Sequence, residues 1–127
     1  MNYNLAIIGG GPAGYDAAAT AAKKGLSVVL FEKSALGGTC LNVGCIPTKT
    51  LLYSSKLYYN AVNGSKYGIK VENPTFEYDK IVSRKNKIIR KLNAGIRSKM
   101  TNNNVTVITG TANVVKNENG IITILCG

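Results

Sequence analysis

The sequence predicts an α/β domain with parallel strands, and three observations carry that prediction. A short apolar run, NLAII at residues 4–8, leads into a glycine-rich turn, GGGPAG at residues 9–14. An alanine-rich stretch, YDAAATAAKK, follows, and a second apolar run, SVVLF, occupies residues 27–31. Strand, helix and strand with short links form a βαβ unit, whose crossover requires the two strands to run parallel.

Each element has its own signal. The 4–8 run is continuously apolar, as a buried strand is. Gly25 is suited to the C′ position that ends the alanine-rich helix, and the second strand ends at Glu32. Thr39 to about Asn60 reads as helix, with an irregular start around Gly44 and Pro47. Residues 64–74 are a polar, glycine-containing connection. A longer helix is expected from about Tyr78 to Met100, with Ile81, Ile88, Ile89, Leu92, Ile96 and Met100 in one stripe at the 3.6-residue period. Lys80, Arg84, Lys87 and Lys91 fall mostly opposite that stripe, while Lys85 and Lys99 intrude near it. The run TNNN ends the helix, and VTVIT at 105–109 is a further strand. ANVVK, NENG and IITIL then read as strand, turn and strand, a hairpin at the C-terminal end.

Composition bounds the function. The 127 residues are 45% hydrophobic, ordinary for one globular domain. No apolar run is long enough for a membrane span, and Met1 leads almost directly into a strand without a secretory or transit signal, so a cytoplasmic location is expected. The formal charge is +10, and the segment from Glu77 to Lys99 holds eight basic and two acidic residues. No zinc-finger spacing or interleaved aromatic platform accompanies that charge, so nucleic-acid binding is not expected. A charged face opposite an apolar stripe reads as the solvated side of a helix.

Gly9, Gly11 and Gly14 satisfy G-x-G-x-x-G between a strand and a helix. The first glycine permits the tight turn, the second lets backbone approach a pyrophosphate, and the third packs helix on strand. Pro12 fits the first helical turn, where no amide hydrogen is needed. The free amides and helix N-terminus then make an anion site. Glu32, at the end of the second strand, is placed to hydrogen-bond the hydroxyls of an adenosine ribose, and its charge disfavours a 2′-phosphate.

Cys40 and Cys45 stand in TCLNVGCIPTK. Zinc normally takes four ligands, and the chain has no histidine and only one other cysteine, Cys126. A structural disulfide closing so small a loop gains little and is unusual in the cytosol. A redox pair fits better than metal, staple or inert core thiols. Positions five apart on a regular helix diverge by about 140°, so a bond between them needs the distorted start that Gly44 and Pro47 suggest. Lys49 and the helix N-terminus are expected to lower a thiol pKa.

GGGPAG, FEK and GGTCLNVGCIPTKTLL together resemble the FAD-linked disulfide oxidoreductases, and within them the dihydrolipoamide dehydrogenase branch. Leu41 and Ile46 look like that branch, whereas glutathione and mercuric reductases more often carry Val there. Thr48 stands where Ser is commoner, a mild departure. The similarity runs along the chain, weakly after Leu52.

The resemblance implies a Rossmann-like FAD-binding domain, incomplete in residues 1–127, with the rest of that domain, the NAD domain and the dimerisation domain absent. It implies electron flow from dihydrolipoamide to the disulfide, then FAD, then NAD. Cys40 is then the interchange thiol and Cys45 the flavin-facing one. Gly9, Gly11, Pro12, Ala13, Gly14 and Glu32 are implied to hold FAD, with Lys33 and Gly37, Gly38 and Thr39 wrapping it. Lys49 lies near the reactive edge of the flavin, and Ala112 makes a backbone contact towards the adenine end. Implied partners are lipoyl domains of 2-oxo acid dehydrogenase complexes and a second subunit, whose histidine serves as base. On this expectation the chain is an N-terminal portion that does not complete the cycle alone. A related disulfide or mercuric reductase, or a non-catalytic flavin-binding protein, are the alternatives.

Overall fold

The computed structural model describes residues 1–127. The βαβ unit forms as the sequence predicts: β1 (Leu5–Ile8), α1 (Pro12–Lys23) and β2 (Val28–Glu32). β1 and β2 are parallel, with Leu5 opposite Val28 and Ile8 opposite Phe31. The single helix expected over residues 39–60 is two, α2 (Gly38–Asn42) and α3 (Cys45–Val62). A short 3-10 turn, Gly64–Tyr67, and a polar loop lead to α4 (Tyr78–Asn102), and β3 (Thr106–Thr109) then pairs parallel with β2. The three-stranded sheet therefore has the order β1-β2-β3.

The core lies on one face of this sheet. Val28 and Leu30 of β2 meet Ala18 and Ala19 of α1 and Met100 of α4, with Leu36 and Val105 closing the cluster. β2 is central and buried on both faces, which is why its sequence is apolar without alternation. Val29 and Phe31 point the other way, where with Ile8 and Ile108 they line a cleft bounded by Val114, Ile122 and Ile124. Those last residues belong to the hairpin of β4 (Ala112–Glu118) and β5 (Ile121–Cys126).

Helix ends follow local chemistry. Gly25, at φ +87°, takes the C′ position of α1: its amide donates to Ala22 O and that of Leu26 to Ala21 O, a Schellman pair. The same pair ends α4, with Asn104 at φ +54° in the glycine-like position. The hairpin turn is tighter than NENG suggests. Only Asn119 and Gly120 form it, both at positive φ as a type I′ turn requires, so β4 continues through Glu118.

The inward stripe of α4 departs from expectation at one place. Leu92 is 41% exposed, and the neighbouring Asn93 takes the inward position between Ile89 and Ile96. Lys99, which intrudes on the stripe, pairs with Asp16 of α1. No helix is long and apolar enough to cross a membrane.

Gly14 sets the approach of α1 to β1. A Cβ there would lie 1.9 Å from the carbonyl oxygen of Gly9, a backbone atom that has no room to yield. Gly14→Ala is expected to destabilise the fold by about 3 kcal/mol, the upper end of overpacking costs, measured by denaturant unfolding; a loss under about 1 kcal/mol would show that the helix can back away from the strand.

Candidate functional site

The site begins where β1 ends. Gly9, at φ +106°, turns the chain while its amide stays bonded to Phe31 O at 2.8 Å. Gly10 is then held from both sides: its amide donates to Glu32 Oε2 at 2.7 Å, and its carbonyl accepts from Gly37 N at 2.7 Å. The other carboxylate oxygen of Glu32 accepts from Ser34 N at 2.8 Å. Glu32 thus ties the glycine turn to the loop that follows β2, and each oxygen keeps a free lone pair for an outside donor.

The two loops meet backbone to backbone. A Cβ on Gly38 would lie 2.9 Å from Gly11 Cα, and one on Gly10 would lie 2.8 Å from Leu36 Cδ2. Gly11 is different, because a Cβ there would meet nothing within 4 Å. It faces an open cleft lined by Gly9, Gly11, Pro12, Ala13, Gly14 and Ala17. The amides of Gly11, Ala13 and Gly14 have no acceptor within the chain, as expected at a helix start. Free donors, a helix N-terminus and an open floor suit a pyrophosphate.

The loop from Lys33 carries the chain to the thiols. Lys33 and Thr39 are exposed and Gly37 is buried, its close fit against Leu41 starting α2. α2 lasts little more than one turn because Gly44 folds back over it, and a Cβ on Gly44 would stand 2.9 Å from Thr39 O. Pro47 falls in the first turn of α3, where its missing amide costs nothing. The break removes the divergence of a regular helix and brings Cys40 and Cys45 within hydrogen-bonding reach as free thiols. Cys40 is half-buried, while Cys45 and Lys49, one turn apart on α3, are exposed.

The expectation of a lowered thiol pKa is corrected at Cys40, whose pKa is raised. Its side-chain hydrogen bond with Cys45 is the largest cause, followed by burial and the proximity of a second ionisable sulfur. The Cys45 amide and the Lys49 ammonium oppose the rise and are outweighed.

Ala112 opens β4 two residues after Gly110, whose amide donates to Glu32 O, so it joins the same end of the sheet. Cys126 pairs across the hairpin with Ala112, on a different element from the thiol pair. Three residues are not singled out by sequence reasoning. Gly10 occupies a variable place in G-x-G-x-x-G. Asn42 donates to Leu36 O at 3.1 Å and Gly38 O at 2.9 Å, with a longer approach to Ala35 O. Asn93 donates to Asn42 Oδ1 at 2.7 Å. Its signal is a polar residue one position off an apolar stripe.

With Cys45→Ala, the hydrogen bond and the second sulfur vanish together, so the Cys40 pKa is expected to fall. The pH profile of iodoacetamide alkylation, in a Cys126→Ser background, should move to lower pH. The sign also carries to stability. A thiol pKa raised in the folded state means that the fold binds this proton more tightly than the unfolded chain, so stability falls as pH rises through the thiol range, and less in Cys45→Ala. An unmoved alkylation profile would refute the assignment of cause.

Comparison with known proteins gives the family. The family model described as pyridine nucleotide-disulphide oxidoreductase matches residues 3–123. The dihydrolipoyl dehydrogenase of Zymomonas mobilis is 40% identical over 121 residues, which cover 95% of this chain and 26% of that protein. A dihydrolipoyl dehydrogenase of Bacillus subtilis is 42% identical over 125 residues, covering 91% of this chain and 27% of its own. The chain thus spans about a quarter of the length of these relatives. Among solved structures, a Cu(II) complex of the HOCl-induced flavoprotein disulfide reductase RclA from Escherichia coli matches with a TM-score of 0.74 and 30% identity, over 98% of this chain and 26% of that one. Glycine turn, crosslinking glutamate and paired thiols stand on one continuous backbone path, and the chain belongs to the pyridine nucleotide-disulphide oxidoreductase family.

Proposed function

We propose that this chain carries the redox dithiol and the pyrophosphate cradle of a dihydrolipoyl dehydrogenase, acting in the cytoplasm. The observation that carries the reading is the direct join between the two. Gly37 N bonds Gly10 O, and Cys40 begins only three residues after Gly37. The cradle fits the diphosphate and adenosine ribose of FAD: three unpaired amides face an open floor at Gly11, and Glu32 has lone pairs to spare. Gly9, Gly11, Pro12, Ala13, Gly14, Glu32, Lys33, Gly37, Gly38, Thr39 and Ala112 would hold it. When bound, FAD would supply a two-electron acceptor for the dithiol, with NAD as the onward acceptor.

The chain's own residues then do the sulfur chemistry. With Cys40 and Cys45 joined, a thiolate of dihydrolipoamide attacks Cys40 Sγ and breaks the bond to Cys45, which leaves as thiolate. The second substrate thiol displaces Cys40 and closes the lipoamide ring. Two electrons and two protons have moved, leaving oxidised lipoamide and a reduced dithiol. The Lys49 ammonium, one turn along α3, offers positive charge to the departing Cys45. The sequence contains no histidine, so a histidine base of the family's kind would come from a second subunit. Lipoyl domains of 2-oxo acid dehydrogenase complexes are the corresponding partners.

Two measurements test this. The oxidised chain mixed with dihydrolipoamide should yield lipoamide and two new thiols per chain, and Cys40→Ser should abolish the exchange. Opening by glutathione but not by dihydrolipoamide would reassign the substrate. Titration with FAD should produce bound flavin absorbance. Gly11→Ala, whose added methyl meets no protein atom, should leave stability within about 0.5 kcal/mol and weaken FAD binding at least ~10-fold. Equal FAD affinity in the variant would remove the pyrophosphate from this cleft.

A further inference from the structure

We propose that Asn93, on α4, is a positioning residue for the thiol pair, acting through Asn42 to tie α2 to α4, the helix on which α3 also packs; this rests on the redox role proposed for Cys40 and Cys45. Asn42 lies two residues after Cys40 and closes α2. Its amide nitrogen is committed to the carbonyls of Leu36, in the loop that enters α2, and of Gly38, the first residue of the helix. Its oxygen is thereby left facing α4 and accepts the Asn93 amide at 2.7 Å. The partners set the orientation of both groups. A reversed Asn93 would put two acceptor oxygens against each other, because Asn42 has no donor left to turn.

The arrangement costs stability. Asn93 Oδ1 is buried and has no hydrogen-bond partner. A leucine at this place would continue the apolar run of Ile89, Ile96 and Met100 and leave no orphan on α4. What the asparagine supplies instead is one directional bond across 51 positions of sequence, from the longest helix to the shortest. α2 has five residues and cannot hold its own place by helix formation. Cys40 sits on α2 and Cys45 on α3, so the spacing of the sulfurs depends on how α2 is held. A pinned α2 raises the effective concentration of one thiol at the other, which favours the disulfide.

The experiment equilibrates the chain, in a Cys126→Ser background, with mixtures of reduced and oxidised glutathione. Each conversion joins Cys40 to Cys45, releases two protons and two electrons, and turns one glutathione disulfide into two thiols. Asn93→Leu keeps the branched shape and the number of side-chain heavy atoms, removes the donor, and is expected to lower the equilibrium constant for disulfide formation roughly five-fold, the worth of one neutral hydrogen bond. Asn93→Ala removes the same donor without added bulk, should lower the constant by a similar factor, and carries the test if the leucine variant does not fold. Asn103→Ala removes a comparable bond, from Asn103 to Lys99 O at 2.8 Å, far from the thiols. It should cost stability in denaturant and leave the redox constant alone. A wild-type disulfide whose constant is unmoved or raised by the Asn93 changes overturns this inference alone. No disulfide in the wild type at any glutathione ratio overturns the redox reading and this inference with it.

Discussion

Gly10 is where the two halves of the molecule are fastened. Its amide is spent on Glu32 and its carbonyl on Gly37, so the turn after β1 and the loop after β2 share one residue as a double-sided tie. Both bonds need the backbones to come closer than any side chain at Gly10 allows, since a Cβ would press on Leu36 and on Glu32 itself. Leu36 in turn belongs to the buried core beside Leu30 and Met100. The anion cradle, the carboxylate and the entry to α2 therefore cannot be repositioned separately. Core packing, hydrogen bonding and loop geometry all converge on one absent methyl group.

The thiol pair follows from a break in helix. A continuous helix over the same residues would send the two sulfurs to different sides. Gly44 stops that by letting α3 restart against the end of α2, and Pro47 tolerates the restart because the first turn leaves its amides unpaired anyway. The electrostatic result is less simple than a lysine beside a sulfur. The Cys45 side chain, followed by burial, holds a proton on Cys40 more firmly than Lys49 and a backbone amide can draw it off. In the dithiol form the neighbouring sulfur outweighs the neighbouring cation.

Elements with strong local periodicity were legible in the sequence. The βαβ unit, the long helix and the hairpin rest on apolar runs and turn residues whose effects act within a few positions. Gly9, Gly11, Gly14 and Glu32 were legible because ligand approach and turn geometry restrict the residue types there. The split between α2 and α3 was visible only as irregularity, since its cause is a close through-space approach at Gly44 that spacing does not encode. Leu92 and Asn93 exchanged roles for a similar reason. A stripe one hundred degrees wide leaves its margin to tertiary contacts, and the partner that drew Asn93 inward is 51 positions away. Gly10 was not legible because its two partners, Glu32 at the end of β2 and Gly37 in the loop after it, are distant in sequence.

The hairpin is joined to this assembly differently. From Thr111 onward every hydrogen bond stays within β4, β5 and their ends, closing with Thr111 and Gly127 on each other. Its pairing is local in sequence, with a two-residue turn and a register shift near Val115. It can therefore open and close without breaking a rung of the parallel sheet, and forms on its own short timescale. In amide exchange the two sheets would behave as separate cooperative units. Leu30 and its neighbours would report the global unfolding free energy, and Ile121 to Cys126 a smaller, private one.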